Sequence, residues 1–175
     1  MSSSEPTIAD LMSQCTRSAV HLEMRDQYGV AAEAEDFQAW LETGQLDVDP
    51  ASPDWAPWVA LVSQARARGI TVRRARIVSE PVSDYIRYEH ASTNVNLQAG
   101  EDVRWLPRRR ASDIALPGND FWLFDDTVIR WGYFSGNGAM IGHEISDEPS
   151  AAKLCSEAFN TVWSRATPHV QYDIH

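Results

Sequence analysis

The side chains best suited to chemistry are charged and hydroxyl groups between positions 74 and 108, in the basic middle of the chain. Guanidinium groups bind carboxylates and phosphates through paired hydrogen bonds, and carboxylates and phenols can move protons. Together they predict a small polar pocket for an anionic ligand. The alternative is a capped helix with surface ion pairs, each contributing about 0–1 kcal/mol. The candidates are Arg74, Arg76, Ser79, Glu80, Asp84, Tyr85, Arg87, Arg104 and Arg108.

A strand that runs directly into a helix must position most of these candidates. Residues 70–78 are rich in strand-forming types and contain neither Gly nor Pro. Ser79 is the predicted N-cap of the following helix, with Glu80 and Pro81 in its first turn. Because α/β proteins often bind ligands where a strand meets a helix N-terminus, we expect the pocket at this corner. Arg104 and Arg108 would approach from a neighbouring strand, which is predicted over 101–106.

The apolar pattern of the remaining chain predicts further helices and strands. Thr7 and Asp10 form a capping box, and Gly44 is a helix stop. The apolar run Phe121–Phe124 is typical of a strand buried on both faces. The polar stretch 21–28 leaves open a short strand in place of a helix end. The predicted helices cover 7–27, 32–44, 58–68 and 150–165, and the predicted strands cover 121–124, 128–134 and 139–145.

The order of these elements predicts an α/β fold with α+β character. A strand–helix–strand unit followed by three antiparallel strands indicates a mixed sheet with helices packed on it and an antiparallel meander. Residues 1–57 are expected to form an N-terminal helical appendage on the core. Residues 58–175 are expected to form a single mixed α/β unit.

Charge is unevenly distributed along a chain whose net charge is −10. Residues 1–57 hold eleven acidic and two basic residues, residues 66–110 hold ten basic and five acidic ones, and residues 111–175 are acidic again. The overall sign argues against non-specific nucleic-acid binding. The basic middle is either neutralised inside the fold or forms one face for an anionic partner.

Several features point to a reduced, cytoplasmic protein. The two cysteines, Cys15 and Cys155, are far apart in sequence and form no redox or metal motif. No apolar run reaches membrane-spanning length, and the first residues lack the features of a signal peptide. We therefore expect no membrane association. Seven tryptophans and an exposed edge strand would be compatible with a homodimer.

Familiar catalytic and cofactor motifs are missing from the sequence. It contains no G-x-S-x-G elbow, no G-x-G-x-x-G loop and no Walker A loop. His21 and Glu23 are spaced like metal ligands, but no second His-rich element supports them, so neither a metal nor a cofactor is predicted. The Arg108–Arg110 run beside Trp105 is similar to single-stranded nucleic-acid grooves, although the acidic remainder makes direct nucleic-acid binding unfavourable.

Five segments carry a resemblance to a known family. RRARIVSEPVSDYIRYE, AGEDVRWLPRR, DFWLFDD, AFNTVWSRATPH and SAVHLEMRDQY resemble an uncharacterised actinobacterial family of unknown function, over nearly the whole chain. Genes of that family often lie beside helix-turn-helix regulators, or their domain is joined to one. The resemblance therefore implies a helix-turn-helix regulator as the protein partner.

The element order from Trp58 onward also resembles one half of a phospholipase-D-like fold, which some regulators use as an effector domain. The catalytic motif of that fold is His-x-Lys-x-x-x-x-Asp. With Asp125 in the Asp position, Asp120 occupies the Lys position and Gly118 the His position. The reaction needs a nucleophile and a cation beside the phosphate, so we expect no phosphodiesterase activity of that type.

These observations predict a non-catalytic binding or regulatory module that receives a protein or ligand signal on its Arg-rich edge. The alternative is a small enzyme of specialised metabolism that acts on an anionic substrate near Arg76, Glu80, Asp84 and Tyr85. The absence of catalytic motifs favours the module.

Overall fold

The computed structural model describes residues 5–175, which form one seven-stranded mixed sheet with helices on both faces. The strands are β1 (Ser18–Glu23), β2 (Thr71–Val78), β3 (Asp102–Pro107), β4 (Phe121–Phe124), β5 (Val128–Phe134), β6 (Met140–Ser146) and β7 (Thr167–Pro168). Their order across the sheet is β6-β5-β4-β1-β2-β3-β7. Strands β1, β2 and β3 are parallel, and the outer strands pair antiparallel. The predicted mixed sheet and meander are confirmed.

Five α-helices cover the sheet. They are α1 (Ile8–Gln14), α2 (Ala34–Thr43), α3 (Ala56–Ala67), α4 (Asp84–Ala99) and α5 (Pro149–Arg165). Helix α5 buries its apolar stripe on one face, where Phe159 and Val162 pack with Leu22 and Ile77. Helices α1, α3 and α4 cover the opposite face. Within residues 5–175, no helix combines the length and apolar character that a bilayer crossing requires.

The N-terminal segment differs from prediction because residues 18–23 of the expected first helix form a strand. Helix α1 ends at Gln14, where the Asp125 carboxylate accepts the backbone N–H groups of Thr16, Arg17 and Ser18 at 2.7–3.0 Å. The chain then enters β1, which lies between β4 and β2. Residues 18–23 form backbone hydrogen bonds with a strand on each side, and this stabilises the strand more than the local apolar pattern favours a helix. The purely helical appendage over 1–57 is therefore wrong, since this segment supplies a central strand.

Helix α4 also begins later than predicted. Its N-cap is Ser83, whose Oγ accepts the N–H of Ile86 at 3.2 Å. Ser79 instead donates its hydroxyl to the Asp26 carboxylate at 2.6 Å. The backbone N–H of Val82 donates to the carbonyl of His175, so residues between the strand and the helix are held by distant parts of the chain. Ser79 is not the helix cap.

Candidate functional site

A cavity of about 460 Å³ lies between the sheet and the helices on its α3/α4 face. Strands β1, β2, β4 and β5 form its floor, and α4, Trp58 of α3 and the segment 28–33 form its walls. This volume is within the range of pockets that hold small organic ligands. We call it the sheet-face cavity. Its main charged residues are Glu23, Glu33, Arg74, Arg76, Glu89 and Asp120.

Strand alternation and register place four polar side chains on the floor. Successive residues of a strand point to opposite faces, so His21 and Glu23 of β1 face the cavity while their apolar neighbours face α5. Parallel pairing of β1 with β2 sets His21 beside Arg74 and Glu23 beside Arg76. The apolar strand pattern on one face therefore coexists with a charged pattern on the other.

Helix α4 contributes a polar stripe to the same cavity. Tyr85, Glu89, Ser92 and Asn96 are three or four residues apart and share one face of the helix. The helix packs beside α3 and over β3, so this stripe is directed at the charged floor. Sheet and helix thus enclose the site from two sides.

The floor is a continuous network of ion pairs. Glu23 accepts from Arg76 Nε at 2.5 Å and from Arg74 Nη1 at 2.7 Å. Arg74 Nε also donates to Glu101 at 2.6 Å, and Arg76 Nη2 lies 2.6 Å from Glu89. Each of these side chains is at most 12% exposed. Buried charges persist only when paired, so this network is a preorganised polar surface.

Two carboxyl groups of the cavity have pKa values near neutrality. Burial raises the pKa of Glu89 to about 7 despite Arg76, and burial raises the pKa of Asp120 to about 6. Glu23 behaves oppositely, because Arg76 and Arg74 outweigh the effect of burial and hold the pKa of its carboxyl well below the usual range. Acids with divergent pKa values in one cleft are a common feature of functional sites.

Two tyrosine hydroxyls form hydrogen bonds with acidic side chains of the cavity. Tyr28 donates a hydrogen bond to Asp120. The Tyr85 hydroxyl lies 2.8 Å from Glu33 and 3.1 Å from Glu89. One hydroxyl proton cannot serve both carboxylates, and burial raises the pKa of Glu33 as well. The arrangement therefore favours holding an extra proton among Tyr85, Glu33 and Glu89.

Three buried nitrogen atoms that line the cavity have no hydrogen-bond partner among residues 5–175. They are His21 Nδ1, Arg130 Nε and His143 Nδ1. His21 Nδ1 approaches Glu23 to 3.5 Å, but without hydrogen-bond geometry. Buried polar atoms normally have partners, so these three nitrogens stand out among the polar atoms around the cavity.

The structure brings together only part of the predicted site. Arg74, Arg76 and Tyr85 line the sheet-face cavity. Ser79 and Arg108 form a separate cluster, in which Arg108 Nε donates to Ser79 Oγ at 3.0 Å. This cluster also includes Asp26, 3.5 Å from Arg108.

The other predicted residues lie outside both groups. Glu80 accepts a hydrogen bond from Tyr172 at 2.8 Å. Asp84 is exposed in the first turn of α4, and Arg87 is half-buried farther along that helix. Arg104 points to the other face of the sheet, where its guanidinium carbon lies 4.4 Å from the ring of Trp163. The expected convergence of arginines beside residue 79 is therefore wrong, because β3 alternation and the later start of α4 direct these side chains elsewhere.

Residues missed by the sequence reasoning complete the cavity. Tyr28, Asp120 and Arg130 come from parts of the chain far from the predicted corner. For Glu23, the sequence predicts a weak metal-ligand pairing with His21 or a place in a short strand, but no role in the pocket. Its signal was the alternation of charged and apolar residues in the segment 18–23, which becomes readable once that segment is recognised as a strand. Among the described residues, no group of three His, Cys, Asp or Glu side chains is placed to hold a metal ion.

The three residues at the positions of the phospholipase D motif, Gly118, Asp120 and Asp125, have distinct structural roles. Asp125 lies at the start of β1, the opposite end from Glu23, and its carboxylate caps backbone N–H groups there. Asp120 is a buried wall residue that also accepts the N–H of Met24 at 2.9 Å. Gly118 is exposed in the loop before β4.

One solved structure supports the fold, and two further ones are reported as similar. A phospholipase D family member, Nuc from Salmonella typhimurium, matches at a TM-score of 0.52 with 13% identity, covering 91% of this chain and 86% of that one. At such identity the likeness shows a phospholipase-D-like fold alone. NucT from Helicobacter pylori matches at 0.49 with 9% identity, covering 91% and 87%. The archaeal chromatin protein TrmBL2 matches at 0.48 with 10% identity, covering 90% and 47%.

Sequence comparison gives one further result. The family model described as "Domain of unknown function (DUF6879)" matches residues 6–173, nearly the whole chain. No curated protein sequence matches the chain.

Proposed function

The chain belongs to the DUF6879 family, and we propose that it is a non-catalytic module that binds a small ligand in the sheet-face cavity and acts on a helix-turn-helix regulator. The cavity is the observation that carries this proposal. Its floor is held by buried ion pairs, so it stays open and polar without a ligand. Among residues 5–175, three of its buried nitrogens have no hydrogen-bond partner, which a ligand would supply.

The chemistry of the floor supports binding over phosphodiester cleavage. Arg74 and Arg76 are committed to carboxylates, so neither is free to hold a phosphate. Asp120 and Gly118 stand at the positions that the phospholipase D motif gives to Lys and His. A carboxylate in the Lys position would repel the phosphate group.

A helix-turn-helix partner is supported by the sequence resemblance and by charge. Regulators of this class carry a basic DNA-binding surface, and this chain has a net charge of −10. Acidic side chains gather in a groove beside α2, where Asp36, Asp47 and Asp54 are exposed. Complementary charge would steer the two proteins together.

Affinity purification of the tagged chain from its native host tests the partner. We expect a helix-turn-helix regulator among the bound proteins, with capture reduced by the triple variant D36N/D47N/D54N and by high salt. The triple variant D113N/D147N/D173N, which removes equal charge elsewhere, should retain the regulator. Capture of no regulator by the wild-type chain would overturn the regulatory role.

A second candidate function is supported by the acids of the cavity. Asp120 and Glu89 have pKa values of about 6 and about 7, suited to general acid–base catalysis. An enzyme of specialised metabolism acting on an anionic substrate would use them for proton transfer. Incubation with host metabolite extract, followed by mass spectrometry, should then show a product that Asp120→Asn fails to form. If the wild-type chain, like Asp120→Asn, forms no product from the extract, the enzymatic function is wrong.

A further inference from the structure

We propose that the sheet-face cavity binds an aromatic monocarboxylate, with Arg130 pairing with the carboxylate and tryptophan rings contacting the aromatic ring. The inference rests on the proposed ligand-binding function and specifies its ligand class.

Arg130 differs from the other cavity arginines in having no ion-pair or hydrogen-bond partner among residues 5–175. Arg74 and Arg76 each contact two carboxylates within 2.7 Å. For Arg130, no carboxylate of residues 5–175 lies within 4.0 Å, and its buried Nε has no acceptor there. The negative charge of Glu5 acts to raise the pKa of Arg130, but its carboxylate lies more than 4.0 Å from the guanidinium. A partly buried cation without a partner is costly, and a bound anion would relieve that cost.

Neighbouring strands place an imidazole beside this guanidinium. Gly132 pairs with His143 across β5 and β6, so Arg130 and His143 are diagonal neighbours on the cavity face of the sheet. His143 Nδ1 is also without a partner among the described residues. Gly132, between them on β5, contributes no side chain, and the Phe134 ring lies 3.5 Å from the point where one would begin.

The charge of this region matches a monoanion. Burial lowers the pKa of His143, and burial lowers the pKa of His21 to about 3, so both imidazoles are neutral at pH 7. One guanidinium therefore supplies the free positive charge. Nearby acids, Glu23 and Asp120, would repel a second negative charge, as on a phosphate monoester.

The walls suit a flat apolar group. The Trp58 and Trp122 rings meet edge to face with centroids 5.8 Å apart, and His21 stacks on Trp122 at 4.4 Å. Phe134 lines the cavity near the β5–β6 turn. Aromatic faces pack well against planar ligands, and a cavity of about 460 Å³ accommodates a two-ring compound.

The test uses four probes with one ring system: 2-naphthoate, 2-naphthylmethanol, 2-naphthylmethylamine and 2-naphthyl phosphate. Binding is followed by the indole N–H resonances of the full chain, assigned with Trp58→Phe and Trp122→Phe. We expect 2-naphthoate to bind most tightly and to shift the Trp58 and Trp122 signals. Arg130→Met should weaken it about tenfold or more, because a charge-assisted bond is lost.

Matched variants separate binding from folding. Arg109→Met removes the same group from an exposed position outside the cavity and should leave affinity unchanged. Arg130→Lys keeps the charge and should retain part of the affinity. Arg130→Met should melt no lower than wild type, since the lost charge has no partner. If Arg130→Met does not fold, Arg130→Gln replaces it in the binding measurement.

Each alternative outcome has a defined meaning. If the alcohol, amine or phosphate binds at the tryptophans as tightly as 2-naphthoate, the ligand class is wrong but the binding function stands. The same holds if Arg130→Met binds 2-naphthoate like wild type. If no probe shifts either tryptophan signal, both the ligand class and the proposed binding function are overturned.

Discussion

Glu23 is the single side chain on which the cavity floor most depends. Its two oxygens accept from both floor arginines, at 2.7 and 2.5 Å. Arg74 and Arg76 are buried, so each requires a carboxylate at close range. A lone acid in the sequence carries no sign of this role, because its partners are about fifty residues away along the chain.

We expect Glu23→Gln to lower the free energy of unfolding by about 3 kcal/mol, the lower end for a broken buried pair, since each arginine keeps a second carboxylate. Urea unfolding followed by tryptophan fluorescence measures this loss. Glu42→Gln, on the exposed surface of α2, should stay within about 0.5 kcal/mol of wild type. Equal stability of the two variants would contradict a stabilising role for the network.

Asp120 provides a pH-dependent test at the same scale. Burial raises its pKa to about 6 in the folded protein, from an ordinary 3.8. The folded state then binds the proton more tightly than the unfolded state, so this carboxyl lowers stability as pH rises from about 4 to about 6. Carbon-detected NMR titration of Asp120 should give the raised value.

Tyr28→Phe should raise the pKa of Asp120 further, because the tyrosine hydrogen bond stabilises the ionised carboxylate. Tyr133→Phe, whose hydroxyl contacts Glu144 on the sheet surface, is the matched control and should leave that pKa unchanged. An Asp120 pKa that does not respond to Tyr28→Phe would mean that the two groups do not interact in solution.

At the scale of secondary-structure elements, the start of α4 shows how tertiary contacts select between two serines. Both Ser79 and Ser83 precede helix-forming residues, and either satisfies the local cap preference. Ser79 is occupied by Asp26 and Arg108, which come from other elements. Ser83 Oγ donates to the backbone carbonyl of Asp26 at 2.6 Å and still accepts the N–H of Ile86, so it is the helix cap. This start of the helix directs Tyr85 and Glu89 into the cavity.

Ser83→Ala should reduce stability by about 1 kcal/mol and speed amide exchange in the first turn of α4, because the N–H of Ile86 loses its acceptor. Hydrogen exchange with mass spectrometry locates the effect. Ser83→Thr keeps a capping hydroxyl and should restore protection. If exchange rises instead across the whole chain, the serine acts on global folding and not on the helix end.

At the scale of the whole molecule, folding brings the acidic N-terminal part of the sequence onto the basic middle. Glu23 pairs with Arg74 and Arg76, and Asp26 lies 3.5 Å from Arg108. Of the two interpretations that the charge pattern left open, internal neutralisation holds for these arginines. A separate basic face is not required to explain the pattern.

Removal of residues 1–57 should therefore prevent cooperative folding. The fragment 58–175 lacks β1, the strand between β4 and β2, and leaves two buried arginines without Glu23. Circular dichroism during heating should show no cooperative transition for the fragment, in contrast to the full chain. A sharp transition near that of the full chain would support the two-unit organisation predicted from sequence.

The sequence alone determined the class of fold and most of its elements. The meander over 121–145, the buried strand at 121–124 and the final helix were predictable because apolar periodicity and turn residues are local signals. The capping box at Thr7 and the stop at Gly44 were predictable for the same reason.

The position of the candidate site depends on contacts that appear only in the folded chain. The segment 18–23 became a strand because β2 and β4 offer it partners on both sides. That pairing set Glu23 against Arg76 and placed Arg130 on the same face of the sheet. Periodicity tells which residues of one element share a face, but register and strand order tell which faces meet. Those depend on contacts between residues distant in the chain, so a single sequence does not reveal them.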